Sequence, residues 1–353
     1  MSGLLAMPAL GISLILVGIY RYSLIASLLA NIPGSFGITL FISMLFLPSL
    51  LAFHWRSGLE RQRKIGLAAL GVVVAFFVLA AATHERMGLA GYAMNALLLG
   101  LMEALFIPAF QDWFSEEGKG GLSGGNAVLW GFSCLAIATS PLLFFWTERS
   151  ASMNAVGGVG MAILALLIVR LSPNKNAAAS SSGQTQPTPK AKGMRAPLAV
   201  FFLAGAASGA MSNMIYPLAL KLLGLKGIWI GLYVCVPLLS AALGALLLKI
   251  FGRNAERWFL AFFLGIPLIF LLVPHRMALF LLFFWGLCLG FIETSWLGKQ
   301  RNFNIALSAK HWGLATGIVV SGLVAQAGIN PVGAISAGFY GTLLVGGILW
   351  MVF

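Results

Sequence analysis

The sequence predicts an all-α polytopic membrane protein whose twelve transmembrane helices form two six-helix bundles. Only 9% of its 353 residues are charged and 60% are hydrophobic, so a water-soluble surface of this size would lack polar groups. Apolar stretches of about 20 residues recur along the chain, and a helix of that length crosses the hydrocarbon of a bilayer. We expect transmembrane spans at 7–30, 36–54, 65–83, 88–111, 125–146, 152–170, 197–219, 228–248, 258–273, 277–298, 312–328 and 332–352.

A polar segment separates the first six spans from the last six. Residues 172–196 include a run from Asn176 to Pro189 that is rich in Ala, Ser, Thr, Gln and Pro and has no apolar periodicity. Such a composition is typical of a flexible linker. The sequence therefore predicts an N-terminal bundle over 1–171, a cytoplasmic linker over 172–196 and a C-terminal bundle over 197–353.

The positive charge of the chain indicates topology. The formal net charge is +13, but the Lys and Arg residues concentrate in alternate loops. Sixteen lie on the side that includes the linker and five lie on the opposite side, which predicts that the first side and both termini are cytoplasmic. We therefore expect a multi-pass protein of a bacterial inner membrane whose partner is the lipid bilayer, with no nucleic acid bound.

Two glutamates lie inside apolar spans in matching contexts. Glu103 is in the fourth span and Glu293 in the tenth, and each follows a Leu-Gly pair by three residues. A carboxylate in hydrocarbon costs several kcal/mol unless it is protonated, paired or open to water. The pair therefore predicts a substrate or proton site. The alternatives are a structural carboxylate bonded between helices and, for Glu293 near a basic loop, a gate or interface residue.

Three more polar residues lie within spans. Arg21 lies about 14 residues into the first span, which places it near the middle of the bilayer. Asn213 and Tyr216 lie in the seventh span, where they either line a cavity or form hydrogen bonds between helices. The small residues from Gly205 to Gly209 predict close helix packing. Because the two halves repeat, we expect substrate between them, near mid-membrane.

The arrangement of six spans, a basic linker and six spans resembles the major facilitator superfamily. Ala104–Gln111 resembles the Pro-Ala segment on the fourth helix of many of its exporters. Arg56–Gly58 and Gly252 with Arg253 stand where the superfamily's basic loop signature would lie, although both copies lack its aspartate. The stretch 312–353 is similar to the closing helices of the siderophore-exporter and lysophospholipid-transporter branches.

This resemblance implies a function. Helices one, four, seven and ten line the central cavity of the superfamily, and these spans carry Arg21, Glu103, Asn213 with Tyr216, and Glu293. A carboxyl group removed from water holds its proton more tightly, and an approaching cation releases it. We therefore expect a proton-coupled secondary transporter that exports a small amphipathic or anionic organic molecule. In this hypothesis Arg21 binds the anionic group, Glu103 carries the proton, and Glu293 gates or assists.

Two alternatives stay open: a lysophospholipid flippase and a transport-inactive scaffold or accessory protein. Lysophospholipid transporters carry an acidic residue where Arg21 aligns, which disfavours the flippase. The chain has no phosphate-binding loop and no visible set of nucleophile and base, so we do not expect an enzyme or a cofactor. The four His residues are scattered at span ends without metal-ligand spacing, so we expect no metal. We expect a monomer.

Overall fold

The computed structural model describes most of the second half of the chain and single positions of the first. The described residues are 39, 43, 44, 47, 67, 70, 73, 74, 97, 98, 100, 101, 159, 163, 195–225, 228–272, 274, 277–297 and 303–352. The second half contains the helices α1 (Arg195–Pro217), α2 (Ile228–Phe251), α3 (Glu256–Phe270), α4 (Ala278–Leu297), α5 (Phe303–Gln326) and α6 (Pro331–Val352). A π-helical turn over Leu218–Leu222 continues α1, and a 3-10 turn over Arg253–Ala255 precedes α3.

The predicted all-α fold class is confirmed. Each described position of the first half is helical and lies inside a predicted span, and no strand occurs among the described residues. The six helices of the second half match the last six predicted spans, although α5 begins nine residues before its span. The count of twelve helices, the N-terminal bundle and the linker depend on residues outside the described part and stay predictions.

Within the described residues, three helical stretches are long and apolar enough to cross a membrane. They are Leu198–Ile215, Trp229–Phe251 and Ala278–Trp296. Large apolar side chains also cover the outside of the bundle; Trp258 and Leu272 are examples. In water such a surface would aggregate, whereas in a bilayer it faces acyl chains. These features are those of a multi-pass membrane protein.

Helices α1 and α5 approach until their backbones touch. A Cβ atom added at Gly205 would lie 1.8 Å from the carbonyl oxygen of Lys310, and one at Gly209 would lie 2.1 Å from that of Leu314. On the facing helix α5, a Cβ atom at Gly313 would lie 1.8 Å from the carbonyl oxygen of Phe202 on α1. Paired small residues allow this approach, which replaces side-chain packing by direct backbone contact. The close packing predicted for the Gly205–Gly209 segment is confirmed.

Helices α2 and α4 form a second pair of the same kind. A Cβ atom at Gly244 would lie 2.0 Å from the carbonyl oxygen of Leu287, and one at Gly290 would lie 1.9 Å from that of Ala241. Since lipid tails are as apolar as leucine, burial of apolar area contributes little to helix association in a membrane, and close van der Waals contact contributes more. The bundle is therefore built around two tightly packed helix pairs.

Two backbone carbonyls near the end of α3 accept hydrogen bonds from other helices. Pro267 has no N–H group and cannot donate to the carbonyl oxygen of Phe263, four residues earlier. The indole Nε1 of the buried Trp285 on α4 donates to that oxygen at 3.0 Å. The hydroxyl of Ser336 on α6 donates to the carbonyl oxygen of Pro267 itself at 2.6 Å. The missing N–H group of Pro267 thus frees the acceptor that binds α4. The end of α3, where the N–H of Leu271 bonds to Leu268, frees the acceptor that binds α6.

The substitution Trp285→Phe is expected to lower the free energy of unfolding by about 1–2 kcal/mol. Phenylalanine keeps the ring contact with Phe339, but the carbonyl oxygen of Phe263 loses its donor in a buried place. Denaturant titration in detergent measures the change. The matched control is Trp258→Phe on α3, where the side chain is 70% exposed and no effect is expected. Equal stability of both variants would contradict the role given to the indole N–H group.

Candidate functional site

A buried ion pair links the end of α4 to the beginning of α5. The ammonium Nζ of Lys310 lies 2.6 Å from Oε1 of Glu293, and the side chains are 16% and 5% exposed. The two helices are joined through residues 298–302, so the end of one and the start of the next lie at the same end of the bundle. At this distance the contact is both a hydrogen bond and a charge–charge attraction.

The second oxygen of this carboxylate has no hydrogen bond within the described residues. Glu293 Oε2 is buried, and no described donor reaches it. A buried acceptor without a partner costs about 1–3 kcal/mol, and a charged one costs more. Within the described residues, the charge of this carboxylate is therefore offset on one oxygen, by Lys310.

A second buried carboxylate accepts a hydrogen bond from a residue near this pair in the sequence. Ser295, two residues after Glu293, donates its hydroxyl to Oε2 of Glu256 at 2.9 Å. Glu256 lies in the first turn of α3, where the helix dipole stabilises a negative charge. The spans predicted from the sequence, 228–248 and 258–273, leave Glu256 in the loop between them. An acidic residue directly before an apolar run was the signal that could have identified it as the start of a helix.

Asn213 is fully buried in a hydrogen-bond cluster at another place. Its amide Nδ2 lies 3.0 Å from the carbonyl oxygen of Ile318 and 3.1 Å from Oγ of Ser321, both on α5. Thr39 of the first half lies 3.4 Å from Oδ1 and 3.3 Å from Nδ2 of the same amide. Of the two roles considered for Asn213, the hydrogen bonds between helices are the one observed in this structure.

The described site residues form two separate polar centres. Asn213 contacts Ser321 and Glu293 contacts Lys310, and these two partners are eleven residues apart on α5, about 16 Å along the helix axis. Tyr216 belongs to α1, but its side chain is outside the part of the chain that the structure describes. Arg21 and Glu103 also lie outside the described residues, so their roles stay predictions.

Comparison of the whole fold with solved structures finds transporters. The chain is similar to a mutant form of the nucleoside transporter NupG, with a TM-score of 0.66, 16% identity, and coverage of 99% of this chain and 98% of that one. A second NupG structure gives a TM-score of 0.63 and 14% identity, with coverage of 98% of each chain. The chain has the major facilitator fold.

The same fold is found in the human organic anion transporter MFSD10 (TETRAN). The TM-score is 0.60 and the identity 15%, with coverage of 96% of this chain and 97% of that one. No protein-family model matches the sequence, and no curated protein matches it. The predicted resemblance to the major facilitator superfamily is thereby confirmed for the fold, while the siderophore-exporter and lysophospholipid-transporter branches stay predictions. These structural neighbours are transporters.

Proposed function

We propose that the chain is a proton-coupled secondary transporter that exports a small amphipathic or anionic organic molecule. The observation that carries this proposal is the buried Glu293–Lys310 pair in a chain with the major facilitator fold. Two structural neighbours are a nucleoside transporter and an organic anion transporter, which supports a small organic cargo and, from the second, an anionic one. In this proposal residues 1–171 and 197–353 rock against each other around the substrate.

The energetics of the pair favour a role beyond stability. Removing two charges from water costs several kcal/mol for each ion, and their attraction repays this only when the remaining hydrogen bonds are also satisfied. Here Glu293 Oε2 has no described partner, so the attraction offsets only part of the cost of removing the charges from water. Apolar residues of similar volume would often hold the same helices as well. Charged groups at such positions in membrane proteins mark substrate paths and proton relays.

Coupling follows from competition for Glu293. When Glu293 is ionised, one carboxylate oxygen holds the ammonium group of Lys310 at 2.6 Å, and the other, which has no described hydrogen bond, accepts an N–H or O–H group of the substrate. When a proton binds Glu293, the carboxyl group loses its charge and releases the substrate. Proton and substrate thus occupy the site in turn, as export driven by an inward proton flow requires. Arg21 and Glu103 keep the roles inferred from sequence, with Arg21 binding the anionic group and Glu103 carrying a proton, and we propose that Asn213 and Tyr216 contact substrate.

Transport in proteoliposomes tests the proposal. The purified chain is reconstituted and offered labelled nucleosides, organic anions and a lysophospholipid, with and without an imposed pH gradient. Glu293→Gln imitates the protonated acid permanently. We expect this variant to transport at least tenfold more slowly, which corresponds to about 1.4 kcal/mol in the barrier, and to stop responding to the gradient. Glu293→Asp keeps the charge and should keep the response.

The matched control is Glu256→Gln, which removes a buried carboxylate of the same bundle but leaves Lys310 and its partner in place. Its response to the pH gradient should equal that of the unsubstituted chain. A gradient response that survives in Glu293→Gln would contradict the proton role. Transport of the lysophospholipid alone would favour the flippase, and a correctly inserted chain that moves none of the compounds would favour the scaffold.

A further inference from the structure

The two halves of the chain meet at a small uncharged cluster. Thr39 belongs to the first half, and Asn213 and Ser321 belong to α1 and α5 of the second. The Thr39 hydroxyl lies 3.4 Å from Oδ1 and 3.3 Å from Nδ2 of Asn213, which is separated from it by 174 residues of sequence. Asn213 and Ser321 are completely buried. This cluster is a described hydrogen-bond contact between the halves.

One assignment of hydrogens satisfies every polar group of the cluster. The two amide hydrogens of Asn213 are donated to the carbonyl oxygen of Ile318 and to Oγ of Ser321, at 3.0 and 3.1 Å. The Ser321 hydroxyl is donated to the same carbonyl oxygen at 3.1 Å. The Thr39 hydroxyl is then donated to Oδ1 of Asn213. With Thr39 in place, both amide hydrogens and Oδ1 of Asn213 have partners.

The shapes of the two halves also match at this point. A Cβ atom added at Gly322 would lie 2.5 Å from Oγ1, 2.6 Å from Cγ2 and 3.1 Å from Cβ of Thr39. Any other residue at position 322 would therefore occupy the space that Thr39 fills. The amide of Asn213 on α1 and the space beside Gly322 on α5 thus receive one threonine side chain.

The bonds of the cluster are not of equal length. Those that join α1 to α5 inside the second half measure 3.0 and 3.1 Å, whereas those that reach Thr39 measure 3.3 and 3.4 Å. Bonds beyond about 3.2 Å are at the weak end of the range for protein hydrogen bonds. If the halves separate, the contacts of Thr39 break first and leave Asn213 anchored on α5. Its Oδ1 then loses its donor.

We propose that Thr39, Asn213, Ser321 and Gly322 form a latch that closes the passage at the end of the membrane distal to the Glu293–Lys310 pair. Opening this latch turns the acceptor Oδ1 of Asn213 towards the passage, where an N–H or O–H group of the substrate replaces the Thr39 hydroxyl. The latch thus deepens the role proposed for Asn213 and rests on the proposed transport function. None of these four residues is charged.

A cross-link between Thr39→Cys and Gly322→Cys tests the latch. The Cβ positions lie 3.1 Å apart, slightly under the 3.5–4.5 Å or so that disulfides span, so a small adjustment suffices. A protease site in the 172–196 segment of the full chain lets the halves be cut apart, and they stay together on a gel only when cross-linked. We expect oxidation to cross-link the halves and to stop transport. Reductant should then separate the halves on the gel and restore transport.

The matched control pairs Thr39→Cys with Leu323→Cys, because Leu323 is the next residue on α5 but is 60% exposed. This pair should remain unlinked under the same oxidation. Absence of a link in the first pair, or equal linking in both pairs, would overturn the latch. So would transport at the unsubstituted rate by the cross-linked chain.

A second measurement does not depend on knowing the cargo. Ser321→Cys places a thiol in the buried cluster, and its labelling by a membrane-impermeant maleimide reports opening. The three native cysteines, Cys134, Cys235 and Cys288, are accounted for by the labelling of the unsubstituted chain. Thr39→Val keeps the shape but removes the hydroxyl, so we expect labelling to accelerate at least fivefold. An unchanged rate would overturn the latch, whereas faster labelling in a chain that transports no tested compound would count against the proposed function alone.

Discussion

Replacing both Gly205 and Gly313 by alanine is expected to lower the free energy of unfolding by about 4 kcal/mol. Each new Cβ atom would lie 1.8 Å from a backbone carbonyl oxygen of the facing helix, so no side-chain rotation relieves the overlap and the helices must separate. Overpacking costs about 3 kcal/mol per site when the obstacle cannot move. Alanine returns about 1 kcal/mol per site as the better helix former.

Denaturant titration in detergent measures this loss, and Gly265→Ala is the matched control. Gly265 also lies inside a helix, but a Cβ atom there would meet nothing within 4 Å. The control should therefore be as stable as the unsubstituted chain or up to about 1 kcal/mol more stable. If the double variant unfolds like the control, the α1–α5 backbone contact does not hold the bundle together.

The same contact positions the ion pair. The atom that a Cβ at Gly205 would strike is the carbonyl oxygen of Lys310, whose ammonium group holds Glu293. Any widening between α1 and α5 at this level therefore moves the base of the Lys310 side chain. Lys310 therefore takes part both in the packing of α1 against α5 and in the ion pair. A substitution of Gly205 that lowers stability should also change the proposed proton response.

Apolar length predicted the helices of the second half well, and it failed where charge interrupts it. The span expected at 312–328 is in fact α5, which begins at Phe303. Asn304, Ser308 and Lys310 make the first three turns resemble a loop, because a lone lysine is costly in hydrocarbon. Glu293 offsets that cost because it lies close to Lys310 in the folded chain. A hydropathy profile contains no information on which residues come together in the fold.

The candidate site was predictable only where a residue contrasted with its surroundings. Glu293 stood out because it is a carboxylate in an apolar run. Lys310 did not, because the predicted spans 277–298 and 312–328 leave it in the loop between them. Thr39 is a small uncharged residue in an apolar span, and nothing local indicates that it meets Asn213, which is 174 residues away. Threonine side chains often bond within their own helix, so only the packed halves reveal this partner.

Replacing Lys310 alone by methionine is expected to lower the free energy of unfolding by about 3–5 kcal/mol, the usual cost of removing one partner of a buried ion pair. The substitution leaves Glu293 buried without its cation, and its second oxygen already has no described hydrogen bond. The matched control is Lys249→Met at the end of α2, where the side chain is exposed and no effect is expected. Similar losses in both variants would contradict the energetic role of the pair.

The double variant Glu293→Gln with Lys310→Met separates stability from function. With both charges removed no ion is left unpaired, so the double variant should recover at least about 2 kcal/mol relative to Lys310→Met, a coupling within the range for contacting residues. A double-mutant cycle of unfolding free energies measures it. A structural pair predicts a stable double variant that transports normally, whereas the proposed coupling predicts one that is stable but does not respond to a pH gradient. Because the variant folds in either case, loss of the response cannot be attributed to unfolding.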